Sequence, residues 1–176
     1  MARDSYRPRL DGSVESASPG VAGREIACGR PAFDLSVAIR RPPPAVFALL
    51  ADIQDAEPIP RSAAVRMVKE PAGPTAAGTC WHEWVRVAPG CWLHTESVVS
   101  DVREPYQLGM DFRSLWFTGH LAYDIEPAAG GSILHNRETV RLRALLRWLG
   151  PFVERTMRPR LLERLADIGA ILEESR

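Results

Sequence analysis

The chain has 176 residues, a length that suits one globular domain with a substantial core and fits two domains poorly. Lysine plus arginine and aspartate plus glutamate both number 22, so the net charge is zero and a surface that binds nucleic acid is not expected. Three cysteines, no N-terminal apolar run and no stretch of about 20 apolar residues argue against a secreted disulfide scaffold and a membrane span, so we expect a soluble, cytoplasmic protein.

Residues 1–31 are rich in Arg, Ser, Gly, Pro and Ala and lack apolar periodicity. Because such a segment cannot bury enough apolar surface to offset its ordering entropy, it is predicted to be a disordered N-terminal tail. The folded domain is predicted to span residues 32–176. It begins with a half-buried strand whose alternating apolar residues are Phe33, Leu35, Val37 and Ile39.

Three prolines, Pro42 to Pro44, end this strand and favour the first turn of a helix. Apolar residues at helical spacing predict one buried face of that helix, formed by Val46, Leu49, Leu50 and Ile53. Residues 52–62, which hold two prolines, are predicted to form a loop or a broken second helix.

From residue 64 onward the chain predicts a meander of strands separated by turns rich in glycine and proline. The predicted strands are Val65–Glu70, Thr79–Val87, Cys91–Asp101, Tyr106–Phe112, Phe117–Glu126 and Ser132–Leu142. Strands joined by such short turns must be antiparallel. With the first strand they make a seven-stranded antiparallel sheet.

Beyond Leu142 the apolar residues recur every three or four positions as far as Leu172, which predicts one long C-terminal helix. Pro151 and Pro159 are expected to kink or interrupt it, leaving about 16 regular residues at its end. A sheet followed by such a helix indicates an α+β fold in which a curved sheet wraps the helix around an apolar cavity.

Alternation along the strands assigns one face of the sheet to the interior. On the last strand, an inward Leu134 and Val140 carry Asn136 and Glu138 inside with them. A carboxylate and an amide on an apolar face cost several kcal/mol unless they are partnered, so they indicate a wet cavity, a ligand contact or a shifted pKa. The alternative is a register slip or bulge that turns both side chains outward.

Glu83 is a second candidate acid or base for the interior. It points inward only if the Ala88-Pro89-Gly90 loop holds three residues, so that Val87 pairs with Cys91.

Cys80, His82, Cys91 and His94 have a spacing that superficially suits a zinc quartet. Cys80 and His82 share a strand face, but Cys91 and His94 lie on opposite faces of theirs, so no metal site is predicted. No cofactor is predicted either. The serines and threonines lack both a nucleophile turn and a neighbouring base, which argues against hydrolase chemistry.

The element order, the Val46-Phe-x-x-Leu-x-Asp-Ile run and the Tyr123-x-Ile-x-Pro-x-x-Gly-Gly-Ser132 turn together resemble a known family. This is the polyketide cyclase/dehydrase and lipid-transport family of the START-like, Bet v 1-type (SRPBCC) superfamily. The resemblance covers about residues 33 to 174 and implies a helix-grip fold, that is, a curved antiparallel sheet holding a long C-terminal helix with an apolar cavity between them. It is specific for fold and not for function, because this fold hosts many activities.

The resemblance to aromatase/cyclases implies which residues line the pocket: Thr95, Ser97, Leu108, Met110, Leu121, Tyr123, Leu134 and Asn136. Two positions at which those enzymes carry pocket arginines are Ser97 and Met110 in this chain. Together with the faces assigned by alternation, the expected ligand-binding set is Thr95, Ser97, Tyr106, Leu108, Met110, Phe112, Leu121, Tyr123, Leu134, Asn136 and Glu138.

Three hypotheses follow. The first is a carrier that holds a small lipophilic or aromatic molecule in a cavity of about 300 to 1,000 Å³. The second is a polyketide cyclase or dehydratase in which Glu138 or Glu83 exchanges protons and Asn136 polarises a carbonyl. In the third, the arginines that begin the long helix bind a membrane or protein partner; a solvated helix face is the simpler interpretation of that basic run.

Overall fold

The computed structural model describes residues 22–25, 32–52 and 65–174 of the chain. Its elements, in chain order, are β1 Ala22–Glu25, β2 Ala32–Ile39, α1 Pro43–Ala51, β3 Val65–Glu70, β4 Cys80–Ala88, β5 Cys91–Arg103, β6 Gln107–Ser114, β7 Phe117–Ala128, β8 Gly131–Leu142, a 3-10 helix Ala144–Leu149 and α2 Gly150–Glu174. The predicted loop or second helix after α1 falls on residues 53–64, outside the described residues.

The strands form one curved antiparallel sheet in the order β1-β2-β8-β7-β6-β5-β4-β3. Strands β3 to β8 are a meander, and β2 crosses over to pair with β8 at the other end of that meander. The seven predicted strands are all present within two residues of their expected ends. The predicted α+β fold, a curved antiparallel sheet with a long C-terminal helix, is therefore confirmed.

One short strand was not predicted. Ala22–Glu25 lie within the segment expected to be a tail, yet they pair with Phe33–Ser36 of β2 as an eighth strand. Their sequence has no apolar alternation, so the pairing relies on backbone hydrogen bonds offered by the edge of β2. The prediction of disorder is wrong for these four residues, and the rest of the predicted tail lies outside the described residues.

Helix α1 begins where the prolines predict it, with a proline in its first turn and no backbone donor lost. Its buried residues are Val46, Phe47, Leu50 and Ala51. Asp52 follows the helix and pairs with Lys69 of β3 at 3.0 Å, and the Lys69 side chain is only 8% exposed. This pair ties the end of α1 to the edge strand.

Helix α2 runs without interruption through 25 residues, so neither proline interrupts it, contrary to one of the two predicted outcomes, a kink or an interruption. Pro151 lies in the first turn, where no helical donor is needed, and Pro159 is accommodated inside the helix. The helix buries Leu161, Leu165, Ile168 and Leu172 and packs mainly against β2. No helix of the described residues is both long and apolar enough to cross a membrane.

The far end of α2 is held by the segment that follows β2. Arg41 Nε donates to the Leu172 carbonyl at 2.6 Å, and Arg40 makes two hydrogen bonds to the Glu173 carboxylate at 3.1 and 3.2 Å. Ser132 Oγ in turn donates to the Arg41 carbonyl at 2.6 Å. These contacts fix the helix across one face of the sheet, which we call the inner face; the opposite face is the outer face.

Candidate functional site

The inner face is built from rows of side chains that the strand register places side by side. One row runs through Leu108, Tyr123, Asn136 and Leu35, and the next runs through Met110, Leu121, Glu138 and Phe33. All eight are buried, with exposures of 0 to 7%. Because β7 and β8 pair without a bulge, Asn136 and Glu138 share the face of Leu134 and Val140, as alternation predicts.

Glu138 is a carboxyl group among apolar neighbours. It is 6% exposed and lies between Phe33 on β2 and Leu121 on β7. Burial raises the pKa of Glu138 to about 7, the nearby Glu83 carboxylate adds to the rise, and the charge of Arg164 opposes it. The desolvation effect outweighs the attraction of the arginine, so the group can hold or release a proton near neutral pH.

Three buried polar atoms on the inner face have no hydrogen-bond partner among the described residues. They are Trp81 Nε1, Tyr123 Oη and Asn136 Oδ1. The Asn136 and Tyr123 side chains lie opposite each other on β8 and β7, and each residue is 1% exposed. Buried polar atoms without partners are rare in folded proteins and costly, so the inner face has unused hydrogen-bonding capacity.

The cationic group of this site comes from helix α2 and was not predicted as a site residue. Arg164 is partly buried, and Tyr123, Glu83 and Glu138 all act to keep the pKa of its guanidinium above the usual value, against the effect of burial. A sequence signal for this placement exists. Arg164 lies three residues after Leu161 and four before Ile168, on the flank of the buried stripe.

The side of the inner face formed by β4 and β5 is less buried. Trp81 is 5% exposed and pairs with Ser97, while Glu83 pairs with Thr95, and these last three residues are partly buried. The pair between Val87 and Cys91, stated above as the condition for an inward Glu83, does not form, because Ala88 pairs with Cys91 instead. A register shift between Arg86 and Ala88 restores the expected register upstream, so Glu83 still shares the face of Trp81.

Tyr106 does not belong to the site. It was expected to point inward with Leu108, yet it is 52% exposed. Its backbone N–H donates to the Arg103 carbonyl at 2.7 Å in the turn before β6, which starts at Gln107. Strand alternation does not extend into that turn, so the inward assignment fails there.

Phe112 lies on the inner face, partly buried against the core. Its ring covers Gly119 on β7, where an added Cβ would lie 2.2 Å from Phe112 Cζ and 2.2 Å from the Thr139 carbonyl oxygen. Gly119 thus makes room for the Phe112 ring. This ring packs edge-on against the Phe117 ring, with 6.0 Å between the two ring centroids.

The outer face carries a second set of polar side chains. Its His135 Nε2 is buried without a hydrogen bond, 3.5 Å from Glu126 Oε2, but three other groups have partners. Arg113 pairs with Glu96 at 2.7 Å, His120 pairs with Asp111 at 2.9 Å, and Arg137 pairs with Asp124. An open depression of about 1030 Å³ lies along this face and is lined in part by the first two pairs. We place the candidate site on the inner face, because three of its polar atoms are buried and unpartnered, whereas each polar side chain that lines the depression is either exposed or paired with a neighbour.

Three members of the sequence quartet lie together on the outer face. Cys80 Sγ is 3.6 Å from His82 Nε2, and His82 Nδ1 is 3.3 Å from His94 Nε2, while Cys91 is exposed at the turn. The two rings stack on each other and on Trp84. Because His82 meets its two neighbours through opposite ring nitrogens, one ion cannot join all three, and no group in the described part of the chain is arranged to hold a metal.

Comparisons with solved structures agree with this fold. The chain is similar to the di-domain ARO/CYC StfQ from the steffimycin biosynthetic pathway, with 18% identity, a TM-score of 0.67, and coverage of 82% of this chain and 51% of that one. It is similar to Ara h 8.0201, with 14% identity, a TM-score of 0.65, and coverage of 89% and 100%. It is also similar to a Polyketide_cyc-like protein from Corynebacterium glutamicum, with 20% identity, a TM-score of 0.54, and coverage of 82% and 92%.

No curated protein sequence matches the chain. The family described as polyketide cyclase / dehydrase and lipid transport matches residues 30–173, which include the whole described sheet apart from β1 and nearly all of α2. The chain therefore belongs to the polyketide cyclase/dehydrase and lipid transport family.

Proposed function

We infer that this protein binds a small lipophilic or aromatic molecule between the inner face of the sheet and helix α2. The observation that carries this proposal is the set of unpartnered buried atoms Trp81 Nε1, Tyr123 Oη and Asn136 Oδ1 on one apolar face. A protein that used this face only as a core would gain stability from apolar side chains at these positions. A ligand that completes their hydrogen bonds gives the polar groups a role.

The bonding capacity of these atoms defines the ligand's chemistry. Asn136 Oδ1 only accepts, so it suits a ligand hydroxyl or N–H group, and Trp81 Nε1 only donates, so it suits a carbonyl or hydroxyl oxygen. Tyr123 Oη can do either. The matching ligand is an apolar or aromatic body that carries both hydroxyl and carbonyl groups.

The spacing of these atoms sets the ligand's length. Trp81 is on β4 and Tyr123 is on β7, three strands away. At a strand spacing of about 4.8 Å the two positions are roughly 14 Å apart across the strands. Trp81 lies in the row of Gly119, and the four residues from Gly119 to Tyr123 add roughly 13 Å along the strands. A ligand that meets both atoms therefore needs an extended body, such as a long chain or several fused rings, and its affinity would come mainly from burial of apolar surface at about 25 cal/mol per Å².

Calorimetric titration tests this proposal. The purified chain is titrated with a hydroxylated naphthoquinone, an alkylphenol and a fatty acid, and the expected order of affinity follows the number of hydroxyl and carbonyl groups. Asn136→Leu and Tyr123→Phe should each weaken the best ligand about tenfold, because each removes one hydrogen bond to a buried group.

Asp111→Asn, on the outer face, is the matched control and should leave the affinity unchanged. Absence of binding by every compound up to its solubility limit would overturn the proposal. Equal affinity in the wild type, Asn136→Leu and Tyr123→Phe would do the same.

A second candidate function, cyclisation or dehydration of a polyketide-like chain, is favoured by one observation. Glu138 is buried with a pKa of about 7, the range in which a general acid or base is most effective, and Arg164 lies near it. As a base, Glu138 would take a proton from a carbon between two ketones, and the resulting enolate carbon would form a bond to a third carbonyl. Protonated Glu138 would then give its proton to the alkoxide formed on that carbonyl. Removal of the second proton from the same carbon by Glu138, and its transfer to the new hydroxyl, would expel water and leave a carbon–carbon double bond.

Turnover separates the two functions. The chain is incubated with a poly-β-ketone thioester, and the products are followed by mass for loss of water. Under the enzyme proposal Glu138→Gln abolishes turnover while it retains ligand affinity. Recovery of the compound unchanged from wild-type protein, with binding intact, leaves the carrier function alone.

A further inference from the structure

An exposed apolar surface lies where β8 leads into helix α2. It contains the four most exposed large apolar side chains of the described residues together with a neighbouring tryptophan. We call it the apolar patch, and its members, with their exposures, are Leu145 (88%), Trp148 (75%), Leu115 (68%), Phe152 (64%) and Trp116 (50%).

The patch comes from two segments that a backbone hydrogen bond joins. Leu115 and Trp116 form the turn between β6 and β7, and the other three residues belong to the 3-10 helix and the first turn of α2. The Arg143 N–H donates to the Trp116 carbonyl at 3.1 Å and holds the two segments together. Trp148 Nε1 donates to the Leu145 carbonyl at 3.1 Å, so the indole already has its polar partner and its ring needs only an apolar contact.

The surroundings of the patch are strongly basic. Residues 141–160 contain six arginines and one acidic residue, Glu154. Arg141, Arg143, Arg147, Arg155 and Arg160 are exposed. Exposed arginines therefore surround the patch.

We propose that the apolar patch and the arginines around it dock the protein on the surface of an anionic lipid membrane. Tryptophan, phenylalanine and leucine enter the boundary between headgroups and acyl chains, while arginines bind anionic headgroups. Charge argues against a second copy of the chain as the occupant, because a two-fold interface would bring two such basic surfaces together.

The membrane also fits the neighbouring inner face. Phe117 and Leu142 pair next to the patch, and Phe112 packs against Phe117 toward the core. Apolar side chains thus connect the patch with the interior, a route by which a lipophilic ligand would enter or leave. This route rests on the proposed ligand-binding function, whereas docking itself does not.

Flotation of the purified full chain with vesicles tests the docking. The vesicles are phosphatidylcholine alone, or phosphatidylcholine in which a third of the lipid is phosphatidylglycerol. We expect binding to the anionic vesicles only. Arg143→Glu with Arg147→Glu should weaken it at least about tenfold, and Leu145→Ser with Trp148→Ser and Phe152→Ser should abolish it.

A matched control exists in the turn between β5 and β6, at the opposite end of β6 from the patch. Arg103 and Tyr106 are both exposed there, so Arg103→Glu with Tyr106→Ser changes an arginine and an exposed aromatic residue away from the patch. This control should float like the wild type. The single variant Trp148→Ser replaces the triple variant if circular dichroism shows that the latter does not fold.

Three results would overturn the docking proposal: no flotation with either vesicle, equal flotation of the control and the patch variants, or a concentration-dependent dimer that the patch variants abolish. Capture of an acidic protein by the patch without any vesicle binding would overturn it as well. Ligand titrations without lipid do not involve the patch, so failure of docking and failure of ligand binding are distinguishable.

Discussion

The two faces of one sheet treat polar side chains in opposite ways. On the outer face, Glu96, Asp111 and Asp124 each meet a basic group from the neighbouring strand. On the inner face, Asn136 and Tyr123 lie side by side with unpartnered polar atoms. Since both sets alternate along the same strands, backbone geometry does not explain the difference. Paired polar groups are typical of a solvated surface, and buried unpaired groups are typical of a site that binds a ligand.

The largest expected effect separates core from surface on a single strand. Leu134 is fully buried on the inner face of β8, and its neighbour Ile133 is partly buried on the outer face. Leu134→Ala should lower the free energy of unfolding by about 3 kcal/mol, from lost apolar burial and the remaining cavity, and Ile133→Ala by less than about half of that. Urea denaturation measures both, and equal losses would contradict the assignment of the inner face as the core.

The next effect concerns the pH dependence of stability at Glu138. Its pKa is about 7 in the folded protein against an ordinary 4.5, so the unfolded chain loses the proton first as pH rises. The free energy of unfolding of the wild type therefore falls as the pH rises from 4.5 to about 7, and it then levels off. The gap corresponds to roughly 3 kcal/mol, so Glu138→Gln should gain up to that much relative to the wild type at pH 8 and almost nothing at pH 4.

Glu96 supplies the opposite case on the outer face. The hydrogen bond from Arg113 lowers the pKa of Glu96, so its contribution is present at neutral pH and is lost as the pH falls through that lowered value. Glu96→Gln should therefore change how the free energy of unfolding depends on pH under acidic conditions, and should leave that pH dependence unchanged near neutral pH. A wild-type profile that does not fall between pH 4.5 and pH 7 would contradict the buried, desolvated state of Glu138.

The sequence predicts the inner face well where one rule decides the outcome. Alternation along β8 places Asn136 and Glu138 inside, because Leu134 and Val140 on the same strand must be buried. The turns between strands fix antiparallel pairing, and the prolines fix the start of α1. In each case a local geometric rule and the demand for apolar burial agree.

The sequence fails where the outcome depends on a distant element. Helical spacing puts Arg164 on the flank of the buried stripe, but only the packing of α2 on the sheet brings it near Glu138. The four residues of β1 form a strand because β2 has a free edge, which their own sequence does not encode. Tyr106 fails for a local reason, since the strand begins one residue later than expected.

A smaller effect distinguishes a polar group kept for a ligand from one kept for stability. Asn136→Leu replaces a buried, unpartnered amide by an apolar side chain of similar size, so the ligand-free protein should gain about 1 kcal/mol of unfolding free energy. The same variant should bind ligand more weakly. A thermal melt with and without ligand measures both effects, and a loss of stability in the ligand-free variant would mean that the Asn136 amide is satisfied within the fold.

The smallest effect is expected for an outer-face ion pair. Arg137 Nε donates to Asp124 Oδ2 at 3.0 Å, but the Arg137 side chain is 58% exposed, so solvent and salt screen the attraction. A double-mutant cycle with Asp124→Asn and Arg137→Gln should give a coupling energy below about 1 kcal/mol, and 1 M salt should reduce it further. A coupling of several kcal/mol would mean that the outer face is also specialised, and the contrast between the two faces would then no longer mark the inner one as the functional site.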